Sequence, residues 1–140
     1  MYVSDVAHSN GLDPKVIELA RGKNFAALTT MLPDDHPQTQ VMWVDADEDH
    51  LLINTEVHRR KYKNVERDPR VTVMVWDHED PYRFVEVRGS VVEKVKGPEA
   101  HEHIDELSHK YHGKLYGNTV QSERVILKIS SRRQVIRVPS

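Results

Sequence analysis

The feature of the sequence that most limits its fold is a series of short apolar and β-branched runs separated by turn-length gaps. The runs cover residues 25–31, 37–44, 50–54, 71–76, 83–93, 125–129 and 135–138. Runs of this kind are typical of β-strands, and the early gaps are too short for the helix that a parallel crossover needs. An antiparallel barrel or sandwich is therefore favoured over a βαβ fold. The sequence predicts a mainly β fold: a barrel of six or seven antiparallel strands with a few helices.

Helical signals occur at three places outside these runs. Asp13 and Pro14 match the N-cap and the first position of a short helix that Gly22 closes. Residues 61–66 favour a helical turn, and residues 98–112 have the apolar stripe of the one sizeable helix. The helices are therefore expected to cover a structure that is made mainly of strands.

The length of 140 residues suits one domain that buries roughly two-thirds of its unfolded surface. We expect a single domain over residues 1–140, with an N-terminal segment and short helix at 1–22 and a barrel at 23–138. The chain has no cysteine, which excludes disulfides, zinc–thiolate sites and thiol nucleophiles. It also has no apolar run of membrane-spanning length and no signal-peptide core. We therefore expect a cytoplasmic protein that does not contact a membrane.

The charges are balanced overall but clustered locally. The 22 acidic and 20 basic residues nearly cancel, so no global field favours nucleic acid. Four cations, however, lie where the strand at 50–54 passes into the helical turn: Arg59, Arg60, Lys61 and Lys63. The start of a helix adds free backbone N–H groups and a positive dipole end to these charges. The junction therefore suits an anionic ligand, and a solvated basic loop is the alternative interpretation.

Other familiar catalytic and metal-binding patterns are missing from the sequence. His109 and His112 could share a helix face, but the surrounding charges favour a solvated surface over a metal site. The acidic turn at 45–49 lacks the glycine and glutamate of a calcium loop. There is no serine-nucleophile elbow and no glycine-rich phosphate loop. We therefore expect no metal, and any difficult chemistry would belong to a bound cofactor.

An ordered set of short motifs extends from residue 25 to residue 89. The motifs are FAALTT from 25, Pro37-Gln38, VMW from 41, LINT from 52, Arg59-Arg60-Lys61 with Asn64, RDPRV from 67 and PYRFVEVRG from 81. This set resembles the pyridoxamine 5′-phosphate oxidase-like split-barrel superfamily. Within that superfamily it is similar to the small reductases that depend on the deazaflavin coenzyme F420. The family commonly has glycine at the position of His58.

The resemblance implies a split β-barrel of the FMN-binding type, assembled as a homodimer with cofactor sites at the interface. It also implies which residues bind the cofactor. The residues expected along its tricyclic ring are Pro37, Gln38, Gln40, Val41 and Met42. The residues expected at its phosphate and acidic tail are Asn54, Thr55, Arg59, Arg60, Lys61 and Asn64. Tyr82 is expected on a loop near the ring or substrate.

The residues themselves leave alternatives open at several of these positions. Gln38 and Gln40 could equally form a solvent face, and Met42 and Trp43 are more typical of core or dimer packing. Tyr82 could equally anchor its loop.

The activity implied by the resemblance is that of an oxidoreductase. Reduced F420 would pass a hydride to an unsaturated small organic substrate. Two alternatives remain: an FMN-binding oxidoreductase of the same superfamily, and a non-catalytic protein that binds a flavin or deazaflavin. The catalytic residues are unknown, with His36 and Tyr82 as the only acid–base candidates.

Overall fold

The computed structural model describes residues 4–7 and 11–138, which form eight strands and three helices. The strands are β1 (Ser4–Ala7), β2 (Phe25–Met31), β3 (Pro37–Trp43), β4 (Asp45–Ala46), β5 (Leu51–Glu56), β6 (Arg70–Trp76), β7 (Phe84–Lys96) and β8 (Arg124–Arg137). The helices are α1 (Pro14–Arg21), α2 (Arg60–Arg67) and α3 (Pro98–His112). Among these described residues, no helix has the length and apolar character needed to cross a membrane.

All the strands belong to one antiparallel sheet in the order β3-β2-β6-β7-β8-β5-β4, and β1 pairs with β8. β3 and β5 approach each other without pairing, so the sheet curls into a barrel that is open between these two strands. The prediction of a mainly β, antiparallel split barrel is confirmed. The short strands β1 and β4 add to the strands that the sequence predicted.

The barrel interior follows from the alternation of side chains along the strands. In β2, Ala26, Leu28 and Thr30 are buried, whereas the residues between them are half-buried on the outer face. The central strands contribute a dense aliphatic core whose fully buried members include Val73, Val75, Val85, Val87, Leu127 and Ile129. Burying each such side chain contributes about 1.5–3 kcal/mol to the free energy of unfolding.

The two C-terminal runs, 125–129 and 135–138, were predicted as separate strands, and this is wrong. They belong to one strand, β8, which continues through the polar residues between them. Those residues pair with β7 across a bulge at Gly89, where a Cβ would lie 1.7 Å from the backbone oxygen of Ser130. Glycine in a strand predicts such a bulge or close approach, and β8 supplies the approaching backbone.

The predicted helices are present, and α1 has the expected caps. The Asp13 side chain accepts a hydrogen bond from the backbone N–H of Lys15, and Pro14 occupies the first position of α1. α3 ends at Gly113, whose φ of 73° is left-handed. The buried face of α3 packs against the outer ends of β2 and β3 in a second apolar cluster, formed by Phe25, Trp43, Ile104, Leu107, Tyr111 and Tyr116.

Candidate functional site

A cleft of about 350 Å³ lies at the open side of the barrel, between β3 and β5. α2, α3 and the segment before β8 also contribute to its lining. The lining residues are Gln40, Val41, Met42, Trp43, Asn54, Thr55, Arg59, Lys61, Ile104, Tyr116, Asn118 and Arg124. The cleft therefore combines an apolar wall from β3 with three cations.

Two of the cations come from the start of α2. β5 ends at Glu56, a tight turn follows, and Arg59 becomes the N-cap of α2 without a side-chain capping bond. The first turn of the helix therefore presents its N–H groups and positive dipole end beside the Arg59 and Lys61 side chains. Within residues 11–138, neither Arg59 nor Lys61 forms an ion pair with a carboxylate.

Lys61 is the most unusual of these cations because it is only 7% exposed. Burial, followed by repulsion from Arg59 and Arg124, lowers the pKa of its ammonium group below the ordinary value. The ammonium group is partly desolvated and has no acceptor among residues 11–138, which is costly in the folded state. An anion bound in the cleft would offset this cost, so Lys61 is poised to bind one.

Arg124, the third cation, is held by its neighbours. The antiparallel register of β5 and β8 places Arg124 opposite Glu56. Its Nε donates to Asn54 Oδ1 at 2.9 Å, and its Nη1 lies 3.5 Å from Glu56 Oε2. The guanidinium also lies 5.2 Å from the ring centre of Tyr116. Arg124 is therefore fixed in place, and its charge is partly neutralised.

Glu56 is ionised despite being buried. Its Oε1 accepts hydrogen bonds from the backbone N–H groups of Gln121 at 2.7 Å and Ser122 at 2.8 Å. Burial opposes the charge, but these two amides together with Arg124 outweigh it and keep the pKa of Glu56 below its ordinary value. Glu56 thus ties the segment before β8 to the end of β5.

The wall from β3 is apolar and aromatic. The Trp43 ring stacks on Tyr111 with a centroid distance of 5.0 Å and an angle of 7°, and it meets Tyr116 edge-on at 6.3 Å. Val41 is 66% exposed, which is unusual for an aliphatic side chain in a strand. Such a wall suits one edge or face of a planar ring.

Seven of the twelve predicted cofactor-binding residues line this cleft: Gln40, Val41, Met42, Asn54, Thr55, Arg59 and Lys61. Asn64 and Gln38 lie beside it. The Asn64 Nδ2 donates to Thr30 Oγ1 at 3.0 Å and to Gln38 Oε1 at 3.2 Å, which ties α2 to β2 and β3. Their contacts are therefore those of residues that hold the cleft together.

The other predicted residues lie outside the lining. Pro37 and Arg60 are exposed, and Tyr82 is 72% exposed on the loop between β6 and β7. His36, the other acid–base candidate, is exposed in the turn between β2 and β3 and hydrogen-bonds Asp34. Cofactor contact by Pro37, Arg60 and Tyr82, and an acid–base role for His36 or Tyr82, stay predictions.

The turn before α2 needs no glycine. Asp35 is the only non-glycine residue with a positive φ in the described part of the chain, so His58 has an ordinary backbone conformation. The His58 Nδ1 lies 2.5 Å from Ser122 Oγ, and the hydroxyl also accepts from the His58 backbone N–H at 3.3 Å. His58 therefore connects this turn to the segment before β8.

Five lining residues were not among the predicted set: Trp43, Ile104, Tyr116, Asn118 and Arg124. Trp43 adjoins the predicted strand residues, and its aromatic type was the available signal. The other four reach the cleft through the packing of α3 and the long-range pairing of β8 with β5. No local pattern in the sequence carries that information.

The profile of the pyridoxamine 5′-phosphate oxidase family matches residues 12–136. A solved structure named F420 reductase is similar, with 29% identity, a TM-score of 0.77, and coverage of 88% of this chain and 98% of that one. The conserved hypothetical protein Rv2991 from Mycobacterium tuberculosis matches with 21% identity, a TM-score of 0.71, and 94% and 89% coverage. General Stress Protein 26 from Bacillus anthracis str. Sterne matches with 20% identity, a TM-score of 0.67, and coverage of 89% of this chain and 93% of that one. No curated protein matches the sequence.

Proposed function

Because the chain belongs to the pyridoxamine 5′-phosphate oxidase family, we propose that it is an F420-dependent oxidoreductase whose cofactor binds in the cleft between β3 and β5. The observation that carries the proposal is the pair of cations Arg59 and Lys61, which have no carboxylate partner within residues 11–138 although Lys61 is buried. The phosphate of a flavin-type cofactor would be the missing partner, because charge-assisted hydrogen bonds to phosphate are strong.

The three cations of the cleft favour F420 over FMN. An FMN phosphate needs only a compact cradle, whereas the deazaflavin carries a longer tail with a phosphate and glutamate carboxylates. Arg59 and Lys61 offer two unpaired charges, and Arg124 extends the positive surface toward Tyr116. The similarity to a protein named F420 reductase, at 29% identity, also supports this choice.

Each part of the cleft would have its own task. The bound cofactor would supply the hydride for an unsaturated small organic acceptor. Arg59 and Lys61 would bind its phosphate and tail. Val41 and Trp43 would cover the ring and exclude water, while the amide of Gln40 offers hydrogen bonds to ring heteroatoms. No side chain is assigned as an acid or base.

A homodimer belongs to the same proposal. β3 is at an edge of the sheet, and Val41, Ala27 and Met74 form one cross-strand row on the outer face of β3, β2 and β6. A second copy on this face would cover the exposed Val41 beside the cleft and so bring the cofactor to the interface. Sedimentation equilibrium is expected to give a dimer, and Met74→Asp is expected to give a monomer. A monomeric wild-type protein would contradict this part of the proposal.

The direct test is to titrate the cofactor-free protein with F420 and, separately, with FMN, following fluorescence or absorbance. F420 is expected to bind at least about tenfold more tightly, which corresponds to about 1.4 kcal/mol. Tighter binding of FMN would mean that FMN, not F420, is the cofactor. Failure of both cofactors to bind would overturn the proposal. A screen of unsaturated acceptors in the presence of reduced F420 then separates an enzyme from a binding protein, because a binding protein would bind the reduced cofactor without promoting its oxidation by any acceptor.

A further inference from the structure

We propose that His103 is a positioning residue for the cofactor cleft. As a neutral imidazole with Nδ1 as a hydrogen-bond acceptor, it fixes the side-chain amide of Asn54, and Asn54 in turn holds Arg124 at the cleft. The inference rests on the proposed function of this cleft in cofactor binding. It concerns a residue that does not itself line the cleft.

His103 lies on the inner face of α3 and is 6% exposed. Its Nδ1 is 3.1 Å from Asn54 Nδ2, and its Nε2 is 3.3 Å from Asp45 Oδ2. The imidazole therefore lies between the side chain of a cleft residue and a carboxylate on the short strand β4.

The orientation of the Asn54 amide can be assigned without reference to His103. Its Nδ2 lies 2.9 Å from the backbone oxygen of Ala100, which can only accept a hydrogen bond. Its Oδ1 lies 2.9 Å from the Arg124 Nε, which can only donate. The nitrogen of the amide therefore faces α3, and its oxygen faces Arg124.

The tautomer of His103 follows from that orientation. Because the Asn54 Nδ2 is a donor, the His103 Nδ1 must accept, so the ring proton is on Nε2 and is donated to Asp45. The two N–H groups of Asn54 are then both used, by Ala100 and His103, while its oxygen accepts from Arg124. Loss of the acceptor at Nδ1 would leave a buried N–H unsatisfied, and the amide would be free to rotate away from Arg124.

Two substitutions separate this role from simple packing. His103→Asn can place an amide oxygen near the position of Nδ1, so it keeps an acceptor for Asn54 and loses the bond to Asp45. His103→Gln can place its amide nitrogen near the position of Nε2, so it keeps the bond to Asp45 and loses that acceptor. Both variants remove the ring and leave a neutral polar side chain.

Cofactor affinity is expected to distinguish the two variants. In titrations with F420 and FMN, His103→Asn should bind the preferred cofactor within about threefold of wild type, whereas His103→Gln should bind it about tenfold more weakly, the equivalent of one charged hydrogen bond. Melting temperatures measured alongside show any shared loss of stability. Equal losses of affinity, or tighter binding by His103→Gln, would overturn the proposal.

A double variant tests whether His103 acts through Arg124. In the Arg124→Gln background, adding His103→Gln should cause no further loss of affinity, because the side chain that it positions is already absent. Independent, multiplicative losses would contradict the proposed connection.

A third measurement does not depend on cofactor binding. In ¹⁵N spectra of the ligand-free protein, the His103 Nδ1 should show the shift of an unprotonated nitrogen and Nε2 that of a protonated one. A proton on Nδ1 would overturn the inference even if F420 binds as proposed. Failure of the wild-type protein to bind either cofactor would instead overturn the proposed function, and the tautomer would still be measured.

Discussion

Two lysines in different regions of the molecule, the buried Lys61 and the half-buried Lys110, carry desolvated charges but differ in their hydrogen-bond partners. Lys110, in the last turn of α3, donates from Nζ to the backbone oxygens of Ala20 at 3.0 Å and Val44 at 2.5 Å. Lys61, in the cleft, has no acceptor among residues 11–138. Burial lowers the pKa of both ammonium groups, so both charges are costly to the fold. Only Lys110 has hydrogen-bond acceptors within the protein that offset this cost. The difference indicates that Lys61 is suited to bind an anionic ligand.

The surroundings of the two lysines differ in the same way. Beside Lys110, the Tyr111 hydroxyl donates to the backbone oxygen of Asn24 and accepts from the backbone N–H of Val44, while burial raises the pKa of its phenol to about 12. Beside Lys61, Arg59 also has no carboxylate partner in the described part of the chain. The polar groups of Lys110 and Tyr111 therefore have hydrogen-bond partners within the protein, whereas Arg59 and Lys61 in the cleft have no carboxylate partner among residues 11–138.

The largest effect is expected when the unpaired charges of the cleft are removed. Arg59→Ala with Lys61→Met should weaken F420 binding by about 100-fold or more, because two charge-assisted hydrogen bonds are lost. Titration of the cofactor-free protein measures this loss.

A matched control is Arg60→Ala with Lys63→Met, which removes the same two charges from exposed positions of the same helix. We expect this control to change the affinity by less than about threefold, since neither side chain lines the cleft and both charges are screened by solvent and salt. An equal loss in the two double variants would mean that only the net charge of α2 matters.

Replacing each lysine with methionine directly tests the difference between them. Lys110→Met leaves the backbone oxygens of Ala20 and Val44 without this donor, so the free energy of unfolding should fall by about 2 kcal/mol. Lys61→Met removes a partly desolvated charge that has no acceptor among residues 11–138, and the ligand-free protein should lose no stability. Urea titrations measure both. Comparable destabilisation by the two changes would show that Lys61 has a structural role.

The pH dependence of cofactor affinity should also report on Lys61. Its pKa in the fold lies below the ordinary 10.5, so between these two values the unfolded chain binds more protons, and stability due to Lys61 rises with pH in that interval. Anion binding has the opposite dependence, because it requires the charged form. F420 affinity should therefore fall as the pH rises through the lowered pKa, toward the affinity of Lys61→Met.

The Lys61→Met variant serves as the reference for this titration. Its affinity profile should lack the transition, because the titrating group has been removed. An unchanged transition in that variant would assign the pH dependence to a different group.

The smallest effect is expected from Tyr111→Phe, beside Lys110. The change removes the hydroxyl between Asn24 and Val44 but keeps the ring that stacks on Trp43, so stability should fall by about 1 kcal/mol. Affinity for F420 should not change, because Tyr111 does not line the cleft. A loss of affinity larger than about threefold would show that the two regions are coupled through Trp43.

Much of the fold was predictable because its signals are local. The caps of α1 and the apolar, β-branched run that forms β2 each follow from a few adjacent residues. The error in β8 has an equally specific reason. Gln134, a polar residue inside that strand, is fully buried because its side chain accepts from the backbone N–H of Asp13 and donates to the oxygen of Gly11. These partners are more than 120 positions away in the sequence.

The candidate site was predictable only in part for the same physical reason. The basic junction before α2 indicated Arg59 and Lys61, but it could not separate them from Arg60, which does not line the cleft, because the helical rotation relative to the cleft depends on tertiary packing. Arg124 and Tyr116 reach the cleft through the pairing of β8 with β5 and the packing of α3, which are properties of the whole fold.

The central claim is that an anionic group of the cofactor contacts Lys61, and the pKa of Lys61 tests it most directly. Selective ¹³C labelling at Cε, with assignment by the Lys61→Met variant, would allow NMR titration of this lysine with and without F420. The bound anion should raise the pKa of Lys61 from its lowered value in the ligand-free protein, because it stabilises the charged form. A pKa that stays the same when F420 is bound would contradict the claim.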